Sequence, residues 1–100
     1  MKKDFVKIFL VKNIKTGEFI EESHKYSDRN EYIGCLHGEM ARDKAYHKRN
    51  PTNHNKNYLK IILIVFVHTG EVWAESKRYL SCNEVLRLQR EEIEKYQNIV

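Results

Sequence analysis

Phe5-Val6-Lys7-Ile8-Phe9-Leu10-Val11 recurs 53 residues later as Tyr58-Leu59-Lys60-Ile61-Ile62-Leu63-Ile64, and the alignment then needs no gap. Lys15-Thr16-Gly17-Glu18 falls on His68-Thr69-Gly70-Glu71, Glu22-Ser23 on Glu75-Ser76, Tyr26 on Tyr79, and Asn30-Glu31 on Asn83-Glu84. Identities at the positions that carry local structure are the mark of an internal repeat, and a repeat dictates the fold.

Each copy reads as one strand-hairpin-helix unit. A run rich in β-branched and aromatic residues leads into Thr-Gly-Glu, where Gly17 or Gly70 supplies the positive φ that a short bulged hairpin loop requires. After the returning strand come Asp28-x-x-Glu31 and Ser81-x-x-Glu84, each a capping-box signature at a helix start. The first helix is expected to run to about Lys48 and to stop before Pro51. The second is expected from about Cys82 to the C-terminus. Ile33, Leu36 and Met40, and Leu86, Ile93 and Tyr96, give apolar stripes at helical spacing. The expected fold is α+β: a tandem ββα-ββα repeat forming a four-stranded antiparallel sheet with two helices on one face, related by a pseudo-two-fold axis. Residues 1–100 are one domain, with repeat one over about 4–49, a basic link over about 41–60 and repeat two over about 57–100.

One hundred residues leave room for one core and no separate catalytic domain. Apolar residues at 41% against charged residues at 32% set the chain apart from disordered sequences. The apolar run after the N-terminus is broken by Lys7 and Lys12 and has no small-residue cleavage site, unlike a signal peptide. Ile61 to Val67 is too short to cross a bilayer. The two cysteines, Cys35 and Cys82, occupy non-equivalent places in the repeats, which fits reduced thiols and a cytoplasmic location.

Three differences between the copies carry the functional reading. First, the third strand is apolar on both faces: Ile61, Leu63, Val65 and Val67 point one way, Ile62, Ile64 and Phe66 the other. Either Trp73 and long side chains cover its second face, or Ile62, Ile64, Phe66 and Trp73 form a protein interface, with a symmetric homodimer the commonest solution. Second, Gly34 and Gly38 stand four apart inside the first helix, where each costs up to about 1 kcal/mol relative to alanine. The spacing suits either close packing of another backbone or a locally weak helix.

Third, the link from Ala41 to Lys60 carries Arg42, Lys44, Lys48, Arg49, Lys56 and Lys60 against a single acid, Asp43. Tyr46, His47, His54 and Tyr58 are interleaved with these cations, as are Asn50, Asn53, Asn55 and Asn57. The mixture offers phosphate contacts, stacking surfaces and base-edge hydrogen bonds together. Arg42, Lys44, Tyr46, Lys48, Arg49, Lys56 and Tyr58 are therefore the candidate nucleic-acid-binding residues; the competing reading is a solvated basic linker.

No nucleotide-binding glycine loop occurs, and the five histidines lack zinc-finger or metalloprotease spacing. Glu22 and Glu75 recur symmetrically beside Lys25 and Arg78, which suits cross-strand pairing better than catalysis. The expectation is a non-enzymatic binding protein with no cofactor and no membrane partner. It would bind RNA, DNA or a nucleoprotein complex through the basic segment. The alternative is a stoichiometric inhibitor or adaptor of a host enzyme or defence complex, of the kind carried by phages and mobile elements.

Overall fold

The computed structural model describes residues 3–50 and 56–93. Four nine-residue strands, β1 (Phe5–Asn13), β2 (Phe19–Ser27), β3 (Tyr58–Phe66) and β4 (Val72–Leu80), form one antiparallel sheet in the order β2-β1-β3-β4. Helices α1 (Arg29–His37) and α2 (Glu39–Arg49) follow the first hairpin, and α3 (Cys82–Leu88) follows the second. Pro51, Asn53, His54, Asn55 and Tyr96 lie outside the described residues.

The hairpins close as their Thr-Gly-Glu turns dictate. Gly17 and Gly70 take φ of 77° and 75°, the left-handed region in which a side chain would be strained. In the first turn the Asn13 amide donates to the Glu18 carbonyl and the Gly17 amide to Asn13, each at 2.8 Å. In the second, Phe66 donates to Glu71 and Gly70 to Phe66 at the same distance. The register slips between Val11 and Lys12 in one hairpin and between Ile64 and Val65 in the other. Phe5 pairs with Ser27 and Tyr58 with Leu80, so the two hairpin registers coincide when numbers are shifted by 53. The central β1-β3 pairing also maps onto itself under that shift, since Phe5 faces Phe66 and Asn13 faces Tyr58.

Because cross-strand partners share a face, the register sorts the sheet into two sides. One side carries Phe5, Lys7, Phe9 and Val11 with Lys60, Ile62, Ile64 and Phe66, and every helix docks there. Tyr32 of α1 stacks on Phe5 with ring centroids 4.5 Å apart. Met40 of α2 and Val85 of α3 complete a core with Phe9, Val11, Ile62, Ile64 and Leu80. Beyond α3 the chain turns as a π-helical segment over Gln89–Ile93, where Gln89 donates to the Glu21 carboxylate at 2.6 Å.

Several expectations are corrected. The first helix is two helices, broken at Gly38, whose φ of −105° and ψ of −99° leave the helical region. A Cβ at Gly38 would meet the Gly34 carbonyl oxygen at 3.2 Å, whereas a Cβ at Gly34 would meet nothing within 4 Å. The pair therefore marks a joint between helices, and among the described residues nothing packs where a Gly34 side chain would stand. Asp28 accepts from the Glu31 amide at 2.9 Å, but Glu31 turns to Lys25 at 3.5 Å, so only the Ser81–Glu84 box is reciprocal. Of the apolar stripes, Leu36 and Met40 pack in the core as expected, but Ile33 is 37% and Leu86 58% exposed, and their places against the core fall to Tyr32 and Val85.

The interface set is displaced as well. Ile62 and Ile64 are 0% and 1% exposed, because register with Phe9 and Lys7 puts them beneath the helices. Trp73 is the extra residue of the β4 bulge and packs its indole against Phe5, Tyr32 and Phe66 at 5.5 to 6.3 Å. The open side of the sheet is that of Ile61, Leu63 and Val65. No helix among the described residues is long and apolar enough to cross a membrane.

Candidate nucleic-acid interface

α2 organises the basic segment, whose first nine residues are helical, in line with the helix end expected near Lys48. At about 100° per residue, Glu39, Met40, Asp43, Tyr46 and His47 fall on the arc facing the sheet, and all are buried or half-buried. Ala41 and Ala45 form the crest of the opposite arc. Arg42 and Arg49 stand on one shoulder of that crest, and Lys44 and Lys48 on the other; all four are exposed. Among the described residues none of the four makes an ion pair or a side-chain hydrogen bond, and no acid of α2 shares their arc. The helix ends at Asn50, whose amide and side-chain nitrogen both donate to the Tyr46 carbonyl, at 2.9 and 3.1 Å.

The lysine shoulder overlooks the outer edge of β4. There Lys44, His47 and Lys48 line a shallow depression with Glu75, Ser76 and Lys77. The His47 ring stacks on Tyr79 at 5.1 Å, and Glu75 faces Lys77 at 3.8 Å.

The remaining three expected residues are turned inward. Lys56 donates to the Tyr46 hydroxyl and sits 4.8 Å from the centre of that ring, while the Arg78 guanidinium lies 4.7 Å from it. Lys56 also pairs with Glu84 at 3.1 Å. Its hydrogen bond to Tyr46 raises the Lys56 pKa despite opposing burial, and Glu84 adds to the rise. Burial pushes the Glu84 carboxyl up, but the Ser81 amide, Lys56 and the Ser81 hydroxyl outweigh it and hold Glu84 below its ordinary range. Tyr58 is half-buried against the core.

A line of charges runs under the helices that the residue pattern did not reveal. Lys7 meets Glu39 at 2.7 Å, Glu39 approaches Lys60 at 3.8 Å, and Lys60 meets Asp43 at 2.8 Å. Arg78 then links Asp43 at 3.8 Å to Glu84 at 3.6 Å. Asp43 and Glu84 thus neutralise two of the cations counted in the basic segment, and what remains solvent-facing is the α2 quartet. Lys7 and Lys60 occupy equivalent places in the two copies. A lysine recurring at an inward-facing strand position was the available sign of such a network.

Among the described residues no group of three or more His, Cys, Asp or Glu could hold a metal ion. The chain matches no protein-family model, no curated protein and no solved structure.

Proposed function

We propose that this chain is a non-enzymatic nucleic-acid-binding protein that grips the phosphate backbone of a duplex with the outer face of α2. The observation that carries this reading is the quartet Arg42, Lys44, Lys48 and Arg49, free of described partners and divided between the two shoulders of an alanine crest. A helix is about 10–12 Å across and the B-DNA major groove about 12 Å wide. A crest of small residues lets such a helix approach closely while its shoulders reach phosphates on both walls. A stacking platform for unpaired bases fits less well, because Tyr46 and Tyr58 are engaged within the fold.

The tandem ββα-ββα organisation with pseudo-two-fold symmetry belongs to the same proposal. Its support is the coincidence of registers, bulges, turn glycines and helix caps under the 53-residue shift. Burial, only partly offset by Lys7, pushes the Cys35 thiol up, which disfavours the thiolate a nucleophile needs. Cys35 and Cys82 are both free, as a reducing cytoplasm would keep them.

The test is a fluorescence-anisotropy titration against duplex DNA, duplex RNA and single strands at 50 and 200 mM salt. Four phosphate contacts imply that affinity for a duplex falls roughly 10²-fold between those salts. Absence of binding to every probe at 50 mM salt would refute the proposal, and a strong preference for single strands would refute its duplex form.

A further inference from the structure

The helices cover one side of the sheet and leave the other open. In an antiparallel sheet with a solvated face, strands alternate apolar and polar residues. Here β1 and β3 break that rule: on the open side Ile8 faces Leu63 and Leu10 faces Ile61, all four half-buried, beside Val65 and the buried Val6. Further out on the same side Phe19, Tyr26 and Val72 are 54%, 53% and 51% exposed.

We infer that this open face closes on a second copy of the chain, sheet against sheet, with the two-fold axis running along the strands. The inference does not depend on the nucleic-acid reading, because the axis leaves both α2 helices on the outside of the dimer.

Size permits it. Four strands about 4.8 Å apart and nine residues long at about 3.4 Å each offer a face of roughly 19 by 30 Å, or about 1,100 Å² over two protomers. That clears the roughly 1,000 Å² expected of a specific interface.

Charge selects the partner. The register lines up Glu22, Leu10, Ile61 and Lys77 in one row across the sheet, and His24, Ile8, Leu63 and Glu75 in the next. Each row therefore begins and ends on side chains of opposite acid-base character. Rotation about an axis along the strands lays β2 of one copy over β4 of the other. Glu22 then falls over Lys77, and His24 over Glu75. A face that is apolar in the middle and self-complementary at both edges is what an isologous interface requires. Aligned packing at the usual separation of about 10 Å seats the aliphatic rows together.

Light scattering coupled to size exclusion, at tens of micromolar protein, tests this directly. The expected mass is twice the 12.0 kDa of the chain. Leu63→Glu is expected to give a folded monomer by circular dichroism. Lys77→Glu sets acid over acid and should weaken self-association at least tenfold by sedimentation equilibrium, with Glu22→Lys in the same chain restoring it. A wild-type mass of 12.0 kDa would overturn the inference. So would a dimer indifferent to Leu63→Glu, or one whose Lys77→Glu defect Glu22→Lys fails to rescue.

Discussion

The Lys60 ammonium meets the Asp43 carboxylate at 2.8 Å beneath α2, with 6% and 3% of the two side chains exposed. A pair so deeply buried is costly to break, because without Asp43 the buried Lys60 charge is left to Glu39 at the longer distance of 3.8 Å. Asp43→Ala is accordingly expected to lower unfolding free energy by about 3–5 kcal/mol in urea titrations. Replacing both partners, as Asp43→Leu with Lys60→Met, should recover most of that loss. Equal instability of the single and double variants would show that the pair does not act as a unit.

The two helix glycines should respond in opposite directions to alanine. At Gly34 a methyl group enters open space and gains helix propensity, so Gly34→Ala should stabilise by up to about 1 kcal/mol. At Gly38 the methyl presses on the Gly34 carbonyl at 3.2 Å in a residue outside helical geometry, and Gly38→Ala should destabilise. Chemical denaturation of both variants decides it. Stabilisation by Gly38→Ala would mean that α1 and α2 tolerate merging into one helix.

Acid should loosen the end of the sheet where α3 begins. Glu84 titrates below its ordinary value of 4.5, so in the folded state it releases its proton more readily than in the unfolded chain. Its contribution is present in full above the unfolded pKa and is lost as pH falls through the folded one. The midpoint of thermal unfolding is expected to drop on acidification through this range, and Glu84→Gln should flatten part of the drop. An identical pH profile in the variant would show that Glu84 does not contribute to the acid sensitivity.

The parts of the fold that were legible in the sequence are those decided by local chemistry. Thr16-Gly17-Glu18 and Thr69-Gly70-Glu71 specify their turns through a positive φ, and Asp28 and Ser81 specify helix starts through their side-chain oxygens. What was not legible depended on docking. Alternation divided β3 into two apolar faces but not into covered and open ones, because only the seating of Tyr32 on Phe5 and of Val85 in the core settles which side the helices take. The same docking leaves Ile33 and Leu86 exposed while Leu36 and Met40 of the expected stripe pack in the core. In the basic segment the cations were visible, yet their fates were not: Lys56 and Lys60 turn inward to Glu84 and Asp43, while Arg42, Lys44, Lys48 and Arg49 face solvent because α2 presents them on the arc away from the sheet.

Whether α2 is the nucleic-acid face is decided by the salt dependence of duplex binding in the wild type and in a variant with Arg42, Lys44, Lys48 and Arg49 all changed to Gln. Removing four phosphate contacts should reduce the slope of log K against log salt by about 3–4 and weaken binding by orders of magnitude at 50 mM salt, with the circular dichroism spectrum unchanged. A variant that binds with wild-type affinity and slope would contradict the assignment of α2 as the nucleic-acid face.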